Sequence, residues 1–275
     1  MDETMNQEAP KMSPTEEPEE LEMSHTDKLV GIFSEPGNTF SKIATTGPKT
    51  SDWIFPLLVV IVVAILSNII MMSNPVIKHS IMEKQMAQIE KNLDDAVKSG
   101  QMTETQKEQQ MEAIRDQMDQ GMAANLIFSI IGIVIFSFIS FFVVSGVFFL
   151  FSKFVLKGSG SYKDAMSAYG LPMYIVVIQV IVMVILALVT DKFFSAVSLA
   201  EFMDSDKSTI AGFLLSKVDI FSIWFYAIIG IGFAKMFKSE NTGKYFIMVY
   251  GVWIGFGLLM FFLAKALPFL RWFGF

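Results

Sequence analysis

"NLIFSIIGIVIFSFISFFVVSGVFFLF", Asn125 to Phe151, runs for 27 residues without a single charged side chain. As a helix it would be about 40 Å long, more than the roughly 30 Å of a bilayer's hydrocarbon core. Every backbone polar group inside lipid must find its partner within the same segment, so the stretch is read as a membrane-spanning helix. The rest of the chain is read around it.

Four further apolar runs flank this one. They are Trp53 to Met72 ("WIFPLLVVIVVAILSNIIMM"), Pro172 to Val189 ("PMYIVVIQVIVMVILALV"), Ile220 to Ala234 ("IFSIWFYAIIGIGFA") and Tyr245 to Ala264 ("YFIMVYGVWIGFGLLMFFLA"). Of the chain's 275 residues 53% are hydrophobic and 17% charged, with 27 Phe and a mean hydropathy of +0.51. A soluble domain carries about 25% charged residues. The expected fold is all-α: a polytopic membrane helix bundle with five transmembrane helices, residues 52–267, closed by a short C-terminal tail, 268–275.

An odd number of crossings puts the two termini on opposite sides. Lysines are dense in two short connections, Lys153, Lys157 and Lys163 after the second run and Lys235, Lys238 and Lys244 after the fourth. The positive-inside rule places those connections and the N-terminus in the cytoplasm, with the C-terminus opposite. Residues 1–27 hold nine acids and one lysine, Lys11, with prolines at 10, 14 and 18. A segment of that composition cannot bury enough apolar area to offset its ordering entropy, and is expected to be a disordered acidic tail. Its charge argues against a nucleic-acid partner; membrane lipid is the expected surround.

Two amphipathic regions stand outside the apolar runs. In residues 28–51, Leu29, Val30, Ile32 and Phe33 precede the turn sequence "EPGN", and Phe40 and Ile43 resume helical spacing. That pattern fits a helical pair on the cytoplasmic membrane face. In residues 74–124, Met82, Met86, Ile89, Leu93 and Ala96 mark one helix face, and Gly100 breaks the pattern. Thr103 with Gln106 forms a capping box for a second helix whose face is Met111, Ile114, Met118 and Met122. An extramembrane helical hairpin is the expectation.

Chemistry is sparse. Cysteine is absent and the two histidines, His25 and His79, lie in polar segments where solvated surface roles are expected. Asp52, Lys153, Asp191, Lys192, Asp219, Lys235 and Lys265 fall at or near the ends of the apolar runs, where they can snorkel or face water. Inside the runs only Asn68, Gln179, glycines and serines are polar, so no carboxylate is expected at depth, as a proton-coupled transporter would need. Gly251 and Gly255 have the GxxxG spacing of helix packing. "KGSGS", 157–161, lacks the spacing and the preceding strand of a phosphate-binding loop; Ser161 is instead the expected cap of a surface helix over Tyr162 to Tyr169. No catalytic residue, metal site or cofactor is expected.

The elements "GIFSEPGNTFSKI", 31–43, and "KGSGSYKDAMSAYGLP", 157–172, set before the first and third apolar runs, resemble the Ypt-interacting-protein (Yip) family. The resemblance covers Leu29 to about Ala264, apart from residues 74–124. It implies a five-span protein with a cytoplasmic N-terminus, whose eukaryotic relatives are associated with prenylated Rab GTPases and ER–Golgi traffic. The chain lacks the "DLYGP"-like element of those relatives, a departure that points to a prokaryotic member in a bacterial inner membrane. Phe33, Pro36, Phe40, Lys157, Gly158, Gly160, Tyr162, Tyr169 and Pro172 carry the pattern and are the candidate partner-binding face. The expected function is a non-enzymatic adaptor or organiser binding protein partners there, with homo-oligomers among the assemblies to be tested. A small-solute transporter or channel using Asn68 and Gln179 is the alternative, and a lipid-handling enzyme the weakest reading.

Overall fold

In a computed structural model, residues 22–120 and 122–267 are described, apart from the side chains of residues 117–126. The expectations for residues 1–21 and 268–275, and for Met118 and Met122, lie outside the described residues. Helices begin where a short polar side chain can accept the first free N–H groups. Ser24 with Asp27 forms a capping box that opens α1, His25–Ser34. This helix starts inside the expected acidic tail, because Ser24 and Asp27 satisfy each other's backbone N–H groups. α2, Pro36–Thr46, follows after a single residue, Glu35, with Pro36 supplying a pre-set φ at its first position.

α3, Ser51–Ser73, ends where Asn74 caps α4, Pro75–Lys98. Gly100 at φ +73 then turns the chain toward α5, Glu104–Gln120. Thr103 and Gln106 make the expected reciprocal cap, and Lys107 of α5 pairs with Asp94 of α4. Leu93 and Met111 are buried, while Met82, Met86, Ile89, Ala96 and Ile114 of the same two faces are half-buried.

α6, Met122–Leu150, closes in a π-helical turn, Phe151–Val155. Ser161 and Asp164 cap α7, Tyr162–Gly170, which a break at Leu171–Pro172 separates from α8, Met173–Thr190. Two short helices, α9 (Leu199–Phe202) and α10 (Ile210–Lys217), lead into α11, Ile220–Met236. α12, Thr242–Ala266, is the last among the described residues. Among the described residues four helical stretches are long and apolar enough to cross a membrane: Ser51–Ser73, Ile127–Val155, Tyr162–Thr190 and Thr242–Ala266. α11 is apolar but shorter, at 17 residues. Their outer faces carry large apolar side chains, Phe128 at 71% and Phe136 at 72% exposed among them. Water would oppose such a belt, and hydrocarbon accommodates it.

The main core sits at one end of the bundle. There the beginnings of α3, α7 and α12 meet the ends of α6 and α11, and α1 and α2 fold over them. α11 is the centre, with Ile229, Phe233 and Ala234 fully buried. Tyr162 to Tyr169, expected as a surface helix, is instead wedged between α3, α6 and α11, with Ala165 and Ala168 fully buried. Its apolar positions face inward on all three sides, which leaves only Ser161 and Lys163 well exposed. A smaller cluster at the other end joins Ile77 and Ile81 of α4 to Ala187 of α8.

Glycines mark the closest approaches. A Cβ on Gly170 would sit 2.6 Å from the Cα of Trp53, fixing α7 against the start of α3. One on Gly257 would come within 3.2 Å of Phe213 and Lys217. Gly251 and Gly255 do not pack inside the bundle as expected: among the described residues nothing lies within 4 Å of a Cβ at either. They lie on a face of α12 that the fold leaves open. Gly170→Ala is therefore expected to cost about 1–3 kcal/mol, since a backbone atom rather than a flexible side chain blocks the methyl group. Gly251→Ala and Gly255→Ala should leave stability unchanged or raise it by up to about 1 kcal/mol through helix propensity. Thermal unfolding of the three variants in one detergent checks the contrast, and a loss at Gly251 would reveal a neighbour outside the chain.

Candidate functional site

The two sequence elements that carried the family pattern, far apart in the chain, converge on the same end of the bundle. Phe40 of α2 is fully buried. Its ring would lie 2.9 Å from a Cβ on Gly232 of α11, and the carbonyl of Ala168 of α7 closes the same spot at 3.2 Å. Three helices thus touch where the middle one has no side chain. Phe33 packs edge-on to Trp224, ring centroids 5.6 Å apart. Pro36 starts α2 and is half-buried.

The second element is held just as closely. Gly158 and Gly160 lie against the ring of Phe237, at 2.8 Å from a Cβ on either, and Gly158 also meets the Tyr245 hydroxyl. These glycines are needed for close approach, not for a phosphate cradle; neither has a positive φ. The loop is tied down by the Ser159 N–H donating to the Phe237 carbonyl at 3.3 Å. Tyr162 donates to the Phe142 carbonyl at 3.0 Å. Tyr169 sits among Phe141, Phe148 and Phe225 at centroid distances of 5.5, 6.2 and 5.8 Å. Pro172 is buried at the head of α8. Of the nine pattern residues only Lys157 is well exposed, and its φ of +56 lies in the left-handed region that a lysine rarely adopts.

Two polar contacts missed in the sequence strap α1 to the bundle. Lys28, 3% exposed, donates to the fully buried Asp52 at 2.6 Å. The second carboxylate oxygen of Asp52 accepts the Lys49 N–H at 2.9 Å, at the N-terminus of α3 where the helix dipole favours a negative charge. Asp52 therefore does not face water as its place at the end of an apolar run suggested. His25 is likewise no solvated surface group: Nε2 shares a 2.7 Å hydrogen bond with the Tyr174 hydroxyl, and its ring packs edge-on against Phe55. Burial holds the imidazole below its usual range, with Asp52 pulling it up and Lys28 pushing it down. Lys28 stands in helical phase with buried Ile32, and that in-phase lysine was the available signal.

The intramembrane polar residues are not brought together. The Gln179 amide donates to Asp219 at 2.9 Å, while the buried Asn68 Oδ1 has no hydrogen-bond partner among the described residues. Asp219 is 1% exposed and caps α11 through the N–H groups of Phe221 and Ser222 at 2.9 and 3.1 Å. It too was expected to face water. Because α11 begins only after the break at Val218–Asp219, the carboxylate that starts it is enclosed beside α8.

Removing one partner of a buried ion pair leaves the other charge unpaired. Lys28→Met should cost about 3–5 kcal/mol, and Lys28→Met with Asp52→Leu should recover much of that loss. Thermal unfolding of the two variants, with proteolysis of α1 as a local readout, measures both.

A family model, the Yip1 domain, matches residues 30–264, and no curated protein or solved structure matches the chain. The match takes in both pattern elements and every helix from α2 to α11, so it covers the site and the apolar helices together. The chain is a multi-pass integral membrane protein and belongs to the Yip family.

Proposed function

We propose that this protein is a five-span, non-enzymatic adaptor that presents a fixed cytoplasmic platform to protein partners. The observation that carries the reading is the strapped end of the bundle. Phe40, Tyr169 and the two glycines of the second element are spent on packing, and Lys28–Asp52 and His25–Tyr174 hold α1 in place. What this leaves outward is a small, ordered surface: Val30 at 59% exposure, Asn38, Lys42, Lys157 and Lys163. A left-handed lysine costs of order 1–3 kcal/mol and persists only where its surroundings fix it. Lys157 and Lys238, at φ +56 and +55, are such residues on two loops joined by the Ser159–Phe237 hydrogen bond. Partner contact on this reading runs through the outer residues, with the buried pattern residues shaping the surface from beneath.

The alternation of helix ends supports five crossings: α3, α6, α7 with α8, α10 with α11, and α12. α11 alone is about 25 Å long, and α10 just before it supplies the missing length. The N-terminus is then cytoplasmic and the C-terminus opposite, in the inner membrane of a bacterium, with α4 and α5 as a hairpin on the far side. A transporter reading draws support from one observation, the enclosed Asp219–Gln179 pair at the break before α11, since interrupted helices with buried polar groups line solute paths in other membrane proteins.

The absence of cysteine makes single-cysteine variants clean probes. Lys42→Cys and Lys163→Cys should react with an impermeant maleimide in inside-out vesicles, and Gln109→Cys in right-side-out ones. Reaction of all three from one side would sink the topology. Affinity capture from native membranes should recover a protein partner that is lost in a Val30→Asp, Lys157→Glu variant; capture of nothing specific would count against the adaptor. Solute flux in liposomes that disappears in Gln179→Leu would favour the transporter.

A further inference from the structure

At the end of the bundle opposite the platform lies a cavity of about 950 Å³ between α4, the 195–208 segment and the end of α12. That is the size range of small-molecule sites. Its keystone is Glu201, whose side chain is 6% exposed. The carboxylate accepts from Lys84 at 2.8 Å, Lys207 at 2.7 Å and the Ser195 hydroxyl at 2.9 Å. Burial alone would raise this carboxyl, and the lysines and Ser195 outweigh burial to hold it at about 2. One carboxylate thereby fixes two ammonium groups, one on α4 and one on the 195–208 segment, in a wall that is built before any ligand arrives.

Charge is unevenly engaged in the cavity. Among the described residues four lysines and four carboxylates line it. Two of those lysines, Lys84 and Lys207, are held by Glu201, and Asp204 turns to Lys192, outside the lining, at 2.8 Å. Lys91 and Lys265 are the lining lysines held least. Lys91 makes only a 3.5 Å contact with Asp206 and a hydrogen bond to Ser208. Lys265 lies over the Phe261 ring at 4.5 Å, and no carboxylate among the described residues pairs with it. Phe261 and Ala264 floor the cavity from the last turns of α12, the helix that leads back into the apolar belt.

Two under-used ammonium groups above an apolar floor, at the end of a membrane helix, match one ligand chemistry. We propose that this cavity binds the phosphate group of a phosphate ester, held by Lys91 and Lys265 against the wall built on Glu201. The apolar floor favours a phospholipid whose chains continue along α12; a soluble phosphate ester carries the same group. This inference is independent of the adaptor reading, which concerns the other end of the molecule.

The test is native mass spectrometry of the detergent-purified full chain with three probes: phosphatidylglycerol, diacylglycerol and glycerol 3-phosphate. Phosphatidylglycerol should be retained and diacylglycerol not. The Lys91→Ala, Lys265→Ala double variant should bind phosphatidylglycerol about tenfold more weakly, the loss expected for charge-assisted hydrogen bonds. Lys49→Ala at the opposite end should bind as the parent does, and unchanged thermal unfolding of the double variant would separate lost binding from lost fold. Retention of glycerol 3-phosphate alone, lost in the same double variant, supports the site with a soluble ligand. Equal retention of diacylglycerol and phosphatidylglycerol, or binding unchanged in the double variant, overturns the proposal.

Discussion

The absence of a side chain at Gly232 is the constraint on which the platform end of this molecule depends. Phe40 enters where a Cβ would be, and the Ala168 carbonyl lies against the same point, so α2, α7 and α11 are locked at one depth. From that contact the neighbours follow. α7 carries Tyr169 into the ring cluster of α6 and α11, and Gly170 brings the same helix against Trp53 of α3. In a bilayer the hydrophobic effect does not drive helices together, and close van der Waals approach replaces it. Glycines facing rings and backbone therefore carry the packing that leucines would carry in a soluble core.

Charge is handled differently at the two ends. At the platform a single ion pair, Lys28–Asp52, is fully enclosed, with the carboxylate also accepting a backbone N–H at a helix start. Such a pair adds little net stability over an apolar replacement. What it adds is register: α1 can dock in one position only, since any slip would strand a buried charge. At the opposite end the buried Glu201 takes two lysines whose ammonium ends stay partly in solvent, so neither is fully desolvated. The first arrangement fixes a surface. The second holds a cavity open.

Much of this was legible in the residues. The apolar runs located α3, α6, α8, α11 and α12 to within a few residues, because backbone satisfaction in lipid leaves the chain no other choice. Local caps were legible too: Ser161 and the Thr103–Gln106 box are short-range chemistry that reads directly from spacing. The misreadings share one cause. Asp52, Asp219 and His25 were judged by position along the chain, at run ends or in polar segments, but their burial depends on α1, α8 and Tyr174 arriving from elsewhere. The Gly251–Gly255 spacing misled in the opposite way, since GxxxG permits an approach without supplying the helix that makes it. Tyr162 to Tyr169 looked like a surface helix because its polar residues were counted without knowing that three helices would surround it.

A consequence follows for what the family pattern means. Phe40, Gly158, Gly160 and Tyr169 belong to the packing of the scaffold: each fills or vacates a space that a neighbouring helix or ring occupies. They identify the fold and say little about what binds to it. Function on a shared scaffold resides in the sites it carries on its surface. On the two proposals made for this chain, those are the outward residues Val30, Lys42, Lys157 and Lys163 at one end, and the lysine-lined cavity at the other. Substituting the buried pattern residues would therefore report on stability, whereas substituting the outer residues, with the buried frame intact, would report on binding.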